Sequence, residues 1–261
     1  MLANTCDLLV IGAHPDDAEI GAGGLIAQQT RLGYRVVICD LTAGEMSSNG
    51  TPQQRRQEAL AAAAILGVRD RICLGLPDRG LTGDPEQVAA VAGLIRHYRP
   101  RLVLAPYHLD DHPDHRRTQA IVAEAILNAR LGRYVLPADA VWAKAAAEQR
   151  SQQAGAAGAW PAGGLAPWAV QAFWQYYIHA TAPQPFYVRL EEEDGRRKQE
   201  ALSCYASQFQ VSPQAVRTRL HGLKQKLEWR DRYAGSLTGA PWAEGFSQDG
   251  PWSTSDVWPL L

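Results

Sequence analysis

The sequence predicts an α/β protein, a Rossmann-like three-layer αβα fold with a mostly parallel sheet. Two observations predict it. Through the first half of the chain, short apolar runs alternate with longer helix-forming stretches at the spacing of βαβ units. The runs are apolar throughout rather than every second residue, as strands covered on both faces require.

Asp7 to Ala13 (DLLVIGA) reads as the first strand. Gly23 to Leu32 reads as a helix stopped by Gly33, the residue type that closes helices most readily. Arg35 to Leu41 (RVVICDL) is a second strand, with β-branched residues that fit a pleated surface. Pro52 to Leu66 is a strong helix, with Pro at its first position, Ala and Leu within and Gly67 after it. Arg71 to Leu74 is a short third strand. Pro85 to Tyr98 is a helix with Asp84 as its N-cap. Arg101 to Ala105 is the fourth strand, and Pro113 to Ala129 is again helical. The stretch from about 137 to 165, rich in Ala, Gln and Gly, reads as a mobile insertion on the surface of a single domain spanning 1–261. Beyond it come a strand at Pro185 to Leu190, a charged turn EEEDG, and helices from about Arg196 to Tyr205 and Gln214 to Trp229.

Composition excludes several function classes. The net charge is −1, without the basic excess of a nucleic-acid or membrane-surface binder. No stretch is apolar for the ~18 residues a membrane span needs, and the first residues show no signal-peptide pattern. The four cysteines, Cys6, Cys39, Cys73 and Cys204, are scattered without a C-x-x-C pair. Three of them sit in or beside apolar runs and read as small buried hydrophobes, and neither a disulfide framework nor a thiolate zinc site is expected. A reduced, cytoplasmic setting is the expectation.

Charge gathers at two places. His14-Pro15-Asp16-Asp17 follows the first strand and His112-Pro113-Asp114-His115 follows the fourth. In open parallel sheets, ligands bind beyond the carboxyl ends of the strands, where both stretches fall. A lone Asp before a helix is ordinary capping. Two turns that both begin His-Pro-Asp, the second followed by another His, are not accounted for by capping. Two imidazoles and a carboxylate are the usual ligands of a catalytic zinc whose remaining position holds water. His14, Asp17 and His115 make such a set. Asp16 then remains as a general base for the water, and His112 as a donor to a developing oxyanion. The same ligand types suit ferrous iron, but a spare acid beside the ligands favours hydrolysis of an acyl compound.

These residues resemble a known family. AHPDDAE, with HPDH later in the chain, looks like the LmbE-like, PIG-L superfamily of zinc N-acetylglucosaminyl deacetylases. GEMSSNGTPQQRRQEA (Gly44 to Ala59), YYIH (Tyr176 to His179) and YASQF (Tyr205 to Phe209) resemble its bacillithiol-biosynthesis deacetylases. The resemblance implies one divalent ion per chain, Zn2+ first and iron or another metal as alternatives, held by His14, Asp17 and His115. It implies Asp16 as base and then acid, and His112 as oxyanion stabiliser. It implies Arg55 facing the substrate with Glu58 as its partner, and N-acetylglucosaminyl malate as the substrate. Mycothiol-precursor and chitobiose-type deacetylases share the metal motif. A homo-oligomer acting on a small glycoside, without nucleic acid or membrane, is implied too. Asp114 is expected to orient a neighbouring imidazole. Glu45 and His179 are weaker candidates for substrate contact.

Two rivals stand beside this reading. Gly21, Gly23 and Gly24 with Asp40 loosely resemble a dinucleotide-binding turn, but the spacing fails, with Ile26 where the last glycine belongs. A non-catalytic metal- or sugar-binding protein would keep the ligands and dispense with Asp16 and His112. Trp168, Trp174, Tyr176 and Tyr177 read as core in preference to a sugar pocket.

Overall fold

The apolar runs of the first half lie side by side in parallel register, as predicted. β1 (Leu8–Gly12) sits between β2 (Val36–Thr42) and β4 (Leu102–Pro106), and β3 (Asp70–Leu76) flanks β2. This is a computed structural model, and it describes residues 5–137, 165–180, 182–209, 216, 218, 220 and 222–249. The sheet has seven strands. Beyond β4 come β5 (Ala172–Tyr176), β7 (Trp242–Gln248) and β6 (Phe186–Leu190), giving the order β3-β2-β1-β4-β5-β7-β6. Only β7 runs against the others, pairing antiparallel with both of its neighbours.

The helices cover both faces. On one side, α3 (Pro85–Tyr98) and α4 (Pro113–Arg130) pack with Leu9, Ile11, Val37, Cys39 and Val103. On the other, α1 (Asp17–Arg31), α2 (Pro52–Leu66), α5 (Glu192–Ser203) and α7 (Leu223–Thr238) close over Leu8, Val10, Ile38 and Leu104. A short helix, α6 (Ala206–Phe209), follows α5. Alternate residues of the central strands therefore serve two separate cores, which is why the runs are apolar throughout. The predicted caps form: Asp84 accepts from the backbone N–H of Glu86 and Gln87, and Gly67 closes α2 in a left-handed conformation. No disulfide forms; the four cysteines are free, and Cys6 and Cys39 are buried. No helix among the described residues is long and apolar enough to cross a membrane.

Several expectations need correcting. α1 begins at Asp17, not Gly23, so the glycines lie inside the helix. A side chain at Gly21 would collide with the Tyr176 ring, so close helix–strand packing explains that glycine. Asp40 is occupied by Arg71 (2.8 and 2.9 Å), which leaves no ribose ligand and removes the dinucleotide rival. EEEDG is not a turn. Glu191 and Asp194 form a capping box, the acids sit in the first turn of α5 where the helix dipole favours them, and Gly195 gives Trp242 room to pack. α7 begins at Leu223 rather than Gln214 and runs on to Thr238. β5 and β7 are hidden in the sequence because Gln175, Glu244 and Gly245 interrupt their apolar pattern. The insertion expected at 137–165 lies almost wholly outside the described residues.

Candidate active site

β1 and β4 are neighbours, so the two His-Pro-Asp stretches emerge side by side at the carboxyl edge of the sheet. They line a cleft of about 250 Å3 with Ile20, Met46, Ser47, Arg55, Asp78 and His179.

In the first stretch, Asp17 turns back to accept the His14 backbone N–H (2.9 Å). Asp16 is left just outside α1 at φ 107, ψ −25, a left-handed conformation that non-glycine residues rarely adopt, and its side chain makes no capping bond. The carboxyl group is buried, and its Oδ2 accepts no hydrogen bond although Arg55 Nη2 lies 3.3 Å away. Arg55 reaches from α2 but aims elsewhere: Nη2 donates to the Pro15 carbonyl and Nη1 to that of Gly44 (3.4 Å). Capping therefore does not explain Asp16, and solvation does not explain Arg55, which is only 4% exposed. Glu58, expected to pair with Arg55, accepts from Ser207 Oγ (2.6 Å) and N (2.8 Å).

In the second stretch, His112 is the N-cap of α4, and its Nδ1 accepts the Asp114 backbone N–H (3.2 Å). That bond leaves the proton of a neutral His112 ring on Nε2. His115 faces Asp110 through Nδ1 (2.8 Å), which fixes its Nδ1–H and turns Nε2 towards Asp17 Oδ1 (3.2 Å). Asp110 also accepts the backbone N–H of His112, His179 and Ala180, so one buried carboxylate ties β4 to the chain after β5. The His179 ring stacks on that of His115 with centroids 5.5 Å apart.

The two stretches meet at His14. Its Nε2 lies 3.2 Å from Asp78 Oδ1 and 3.4 Å from Asp114 Oδ2, and its Nδ1 lies 3.6 Å from Asp17 Oδ2. Asp114 thus reaches the imidazole of the other turn. The sequence did not mark Asp78 or Asp110. Asp110 had a cue in lying just before His112, whereas Asp78 follows a strand read as short, and only the fold brings it in. Glu45 accepts the Asp78 backbone N–H (2.7 Å) and Asp78 accepts that of Met46 (2.9 Å), so Glu45 acts here as a brace between loops.

The ring nitrogens of His14, His112 and His115 come within 4.8 Å of one another, and Asp17 lies between His14 and His115. Imidazoles with an interposed carboxylate, His14 and His115 each held by a further acid, fit a divalent cation on donor chemistry. The local field agrees. Burial opposes charge on His14 and His115, but surrounding carboxylates override it and raise both, His115 to about 9. Asp17, despite burial, is held well below the usual carboxylate range by His115 and His14. Burial raises Asp16 to about 7 against the opposing pull of Arg55. Burial and the neighbouring His115 and His14 lower His112 to about 4.

Comparison with known proteins agrees with this geometry. Residues 9–126 match the PIG-L family, described as GlcNAc-PI de-N-acetylase. The chain is 35% identical over 129 residues to a diacetylchitobiose deacetylase of Thermococcus kodakarensis, covering 46% of this chain and 48% of that one. It is 31% identical over 121 residues to a probable N-acetyl-alpha-D-glucosaminyl L-malate deacetylase of Bacillus subtilis, covering 41% and 55%. The matched part is thus about half the length of these curated relatives. The crystal structure of the conserved protein TT1542 from Thermus thermophilus superposes with a TM-score of 0.76 at 31% identity, covering 96% of this chain and all of that one. Residues 9–126, a little under half of the chain, are similar to the PIG-L family, and the chain shares the fold of TT1542 along almost its whole length.

Proposed function

We propose that the protein is a zinc-dependent amidohydrolase that removes the acetyl group from an N-acetylglucosaminyl conjugate, with N-acetylglucosaminyl malate as its substrate. The observation that carries this is Asp16: a buried carboxylate beside the His14–Asp17–His115 cluster, held in a costly backbone conformation, with one oxygen that accepts no hydrogen bond. A binding protein has no use for such a group. A hydrolase needs a base that is close to its ligands and uncommitted.

His14 through Nδ1, Asp17, and His115 through Nε2 would hold the ion. Once bound, it would supply Lewis acidity, polarising the acetamide carbonyl and acidifying a water. Asp16 accepts the proton of that water and returns it to the departing sugar nitrogen, which answers the poor leaving ability of an amine. His112 Nε2–H donates to the oxygen of the tetrahedral intermediate, a contribution of about 3 kcal/mol per donor in related chemistry. Arg55, which lines the cleft, faces the substrate and also holds the turn through the carbonyls of Pro15 and Gly44. The malate end of the substrate faces Arg79, whose half-exposed side chain sits at the mouth of the cleft, with His179 along the wall.

Acetate release from malate, inositol and plain N-acetylglucosaminides by metal-analysed protein tests this. The zinc form is expected to release acetate, fastest from the malate conjugate, and to stop on chelation. Equal rates on all three sugars would overturn the malate assignment, and chelator-resistant release would overturn the metal assignment.

A further inference from the structure

α1 is not one helix. Ala22 has non-helical angles (φ −143, ψ 15), and at this break side chains bond the main-chain groups that a regular helix pairs i→i−4. Gly24 N–H, which would donate to the Ile20 carbonyl, donates to Glu244 Oε1 (2.8 Å). Leu25 N–H, which would donate to Gly21, donates to Glu244 Oε2 (2.7 Å). The Ile20 carbonyl accepts from Arg230 Nη2 (3.0 Å). A carboxylate thus meets two of these donors and a guanidinium one of the acceptors.

These surrogates belong to one ionic group. Lys198, wholly buried, donates to both Glu244 Oε1 and Asp231 Oδ2 (2.6 Å each), and Arg230 Nε donates to Asp231 Oδ1 (2.8 Å). Two cations and two anions cancel, so the group can sit inside the fold without a net buried charge. Arg230 then reaches forward with Nη1 to the Tyr177 carbonyl (3.1 Å). Its two arms therefore hold the segment carrying Asp17 and Ile20, and the chain leading to His179 and the Asp110 contacts.

We infer that Arg230 and Glu244 are positioning residues that mount the first half of α1, Asp17 to Gly21, as a separate element and set Asp17 against His115. The inference rests on Asp17 and His115 gripping a cation. It accounts for ionic residues from α5, α7 and β7 converging on one helix break. Glu19, on the same segment, is gripped from the other side by Arg71 and Tyr205.

The test is zinc titration into the apo protein in competition with a chelating dye, alongside melting curves. Arg230→Gln and Glu244→Gln are expected to weaken zinc at least about 10-fold, the scale of lost ligand orientation. Arg230→Lys, which keeps the charge but cannot fork to both carbonyls, should fall between. Arg232→Gln, two residues away and exposed, should bind as the parent does. Parental zinc affinity in folded Arg230→Gln and Arg230→Lys, with only the melting point lowered, would overturn the inference. If Arg230→Gln does not fold, parental zinc affinity in Arg230→Lys alone is enough to overturn it. A parent protein that binds no zinc would instead refute the metal reading.

Discussion

The two His-Pro-Asp turns share three letters and a place in the fold, yet their backbones differ. In the second, Pro113 opens α4, His112 is an extended N-cap, and Asp114 falls in the first helical turn, where acids are favoured. In the first, the helix waits until Asp17, and Asp16 is forced into left-handed space outside it. One turn is relaxed, with His112 capping its helix; the other is strained and leaves the Asp16 carboxylate without a capping bond, with Arg55 3.3 Å away. The strain falls at the residue proposed as the base, with Arg55 holding the adjoining Pro15 carbonyl in place.

The contrast can be broken from either side. The largest effect is expected at Asp16. Asp16→Ala should retain zinc by metal analysis while kcat falls about 10²–10⁴-fold, the usual worth of a general base; wild-type turnover would remove Asp16 from the mechanism. Next comes His112→Ala, for which steady-state kinetics should show kcat down about 10²–10³-fold with zinc retained. Lost zinc there would make His112 a ligand instead. Asp114→Asn should act through His14, weakening zinc about 10–100-fold in a chelator competition. The smallest effects are in stability, and they have opposite signs. Asp16→Gly should abolish turnover yet raise stability by about 1 kcal/mol in denaturant melts, because strain and an unsatisfied buried oxygen both go. Asp84→Ala, which removes an unstrained cap, should lower it by about 1 kcal/mol. If Asp16→Gly is destabilising, the left-handed turn stores no strain.

The contrast also marks what was legible in the sequence. Residue types within one short stretch are visible, so His14, Asp16, Asp17, His112 and His115 could be named as a group, and the structure brings them together. Helix register within the stretch is not visible: the first-half periodicity placed the start of α1 at Gly23, whereas the turn around His14 starts it at Asp17. Groups that depend on tertiary pairing were hidden altogether. Lys198, Asp231 and Glu244 look like surface charges when read in order, and Glu244 breaks the apolar run of β7. Asp78 reaches His14 only because β3 and β1 end at the same edge.

The strand order carries a last consequence. From β1 the chain winds outward through β2 and β3, then crosses back to β4 on the opposite flank before going on to β5. The chemistry is lodged at that reversal, on two neighbouring strands and the segments they launch. The loops after β2 and β3 add Met46, Ser47 and Arg79 to the cleft wall, and Asp78, which holds His14. Polarity can change at Met46, Ser47 and Arg79 without touching the two launching turns, whereas the length of the β3 loop is fixed by Asp78 and its hold on His14.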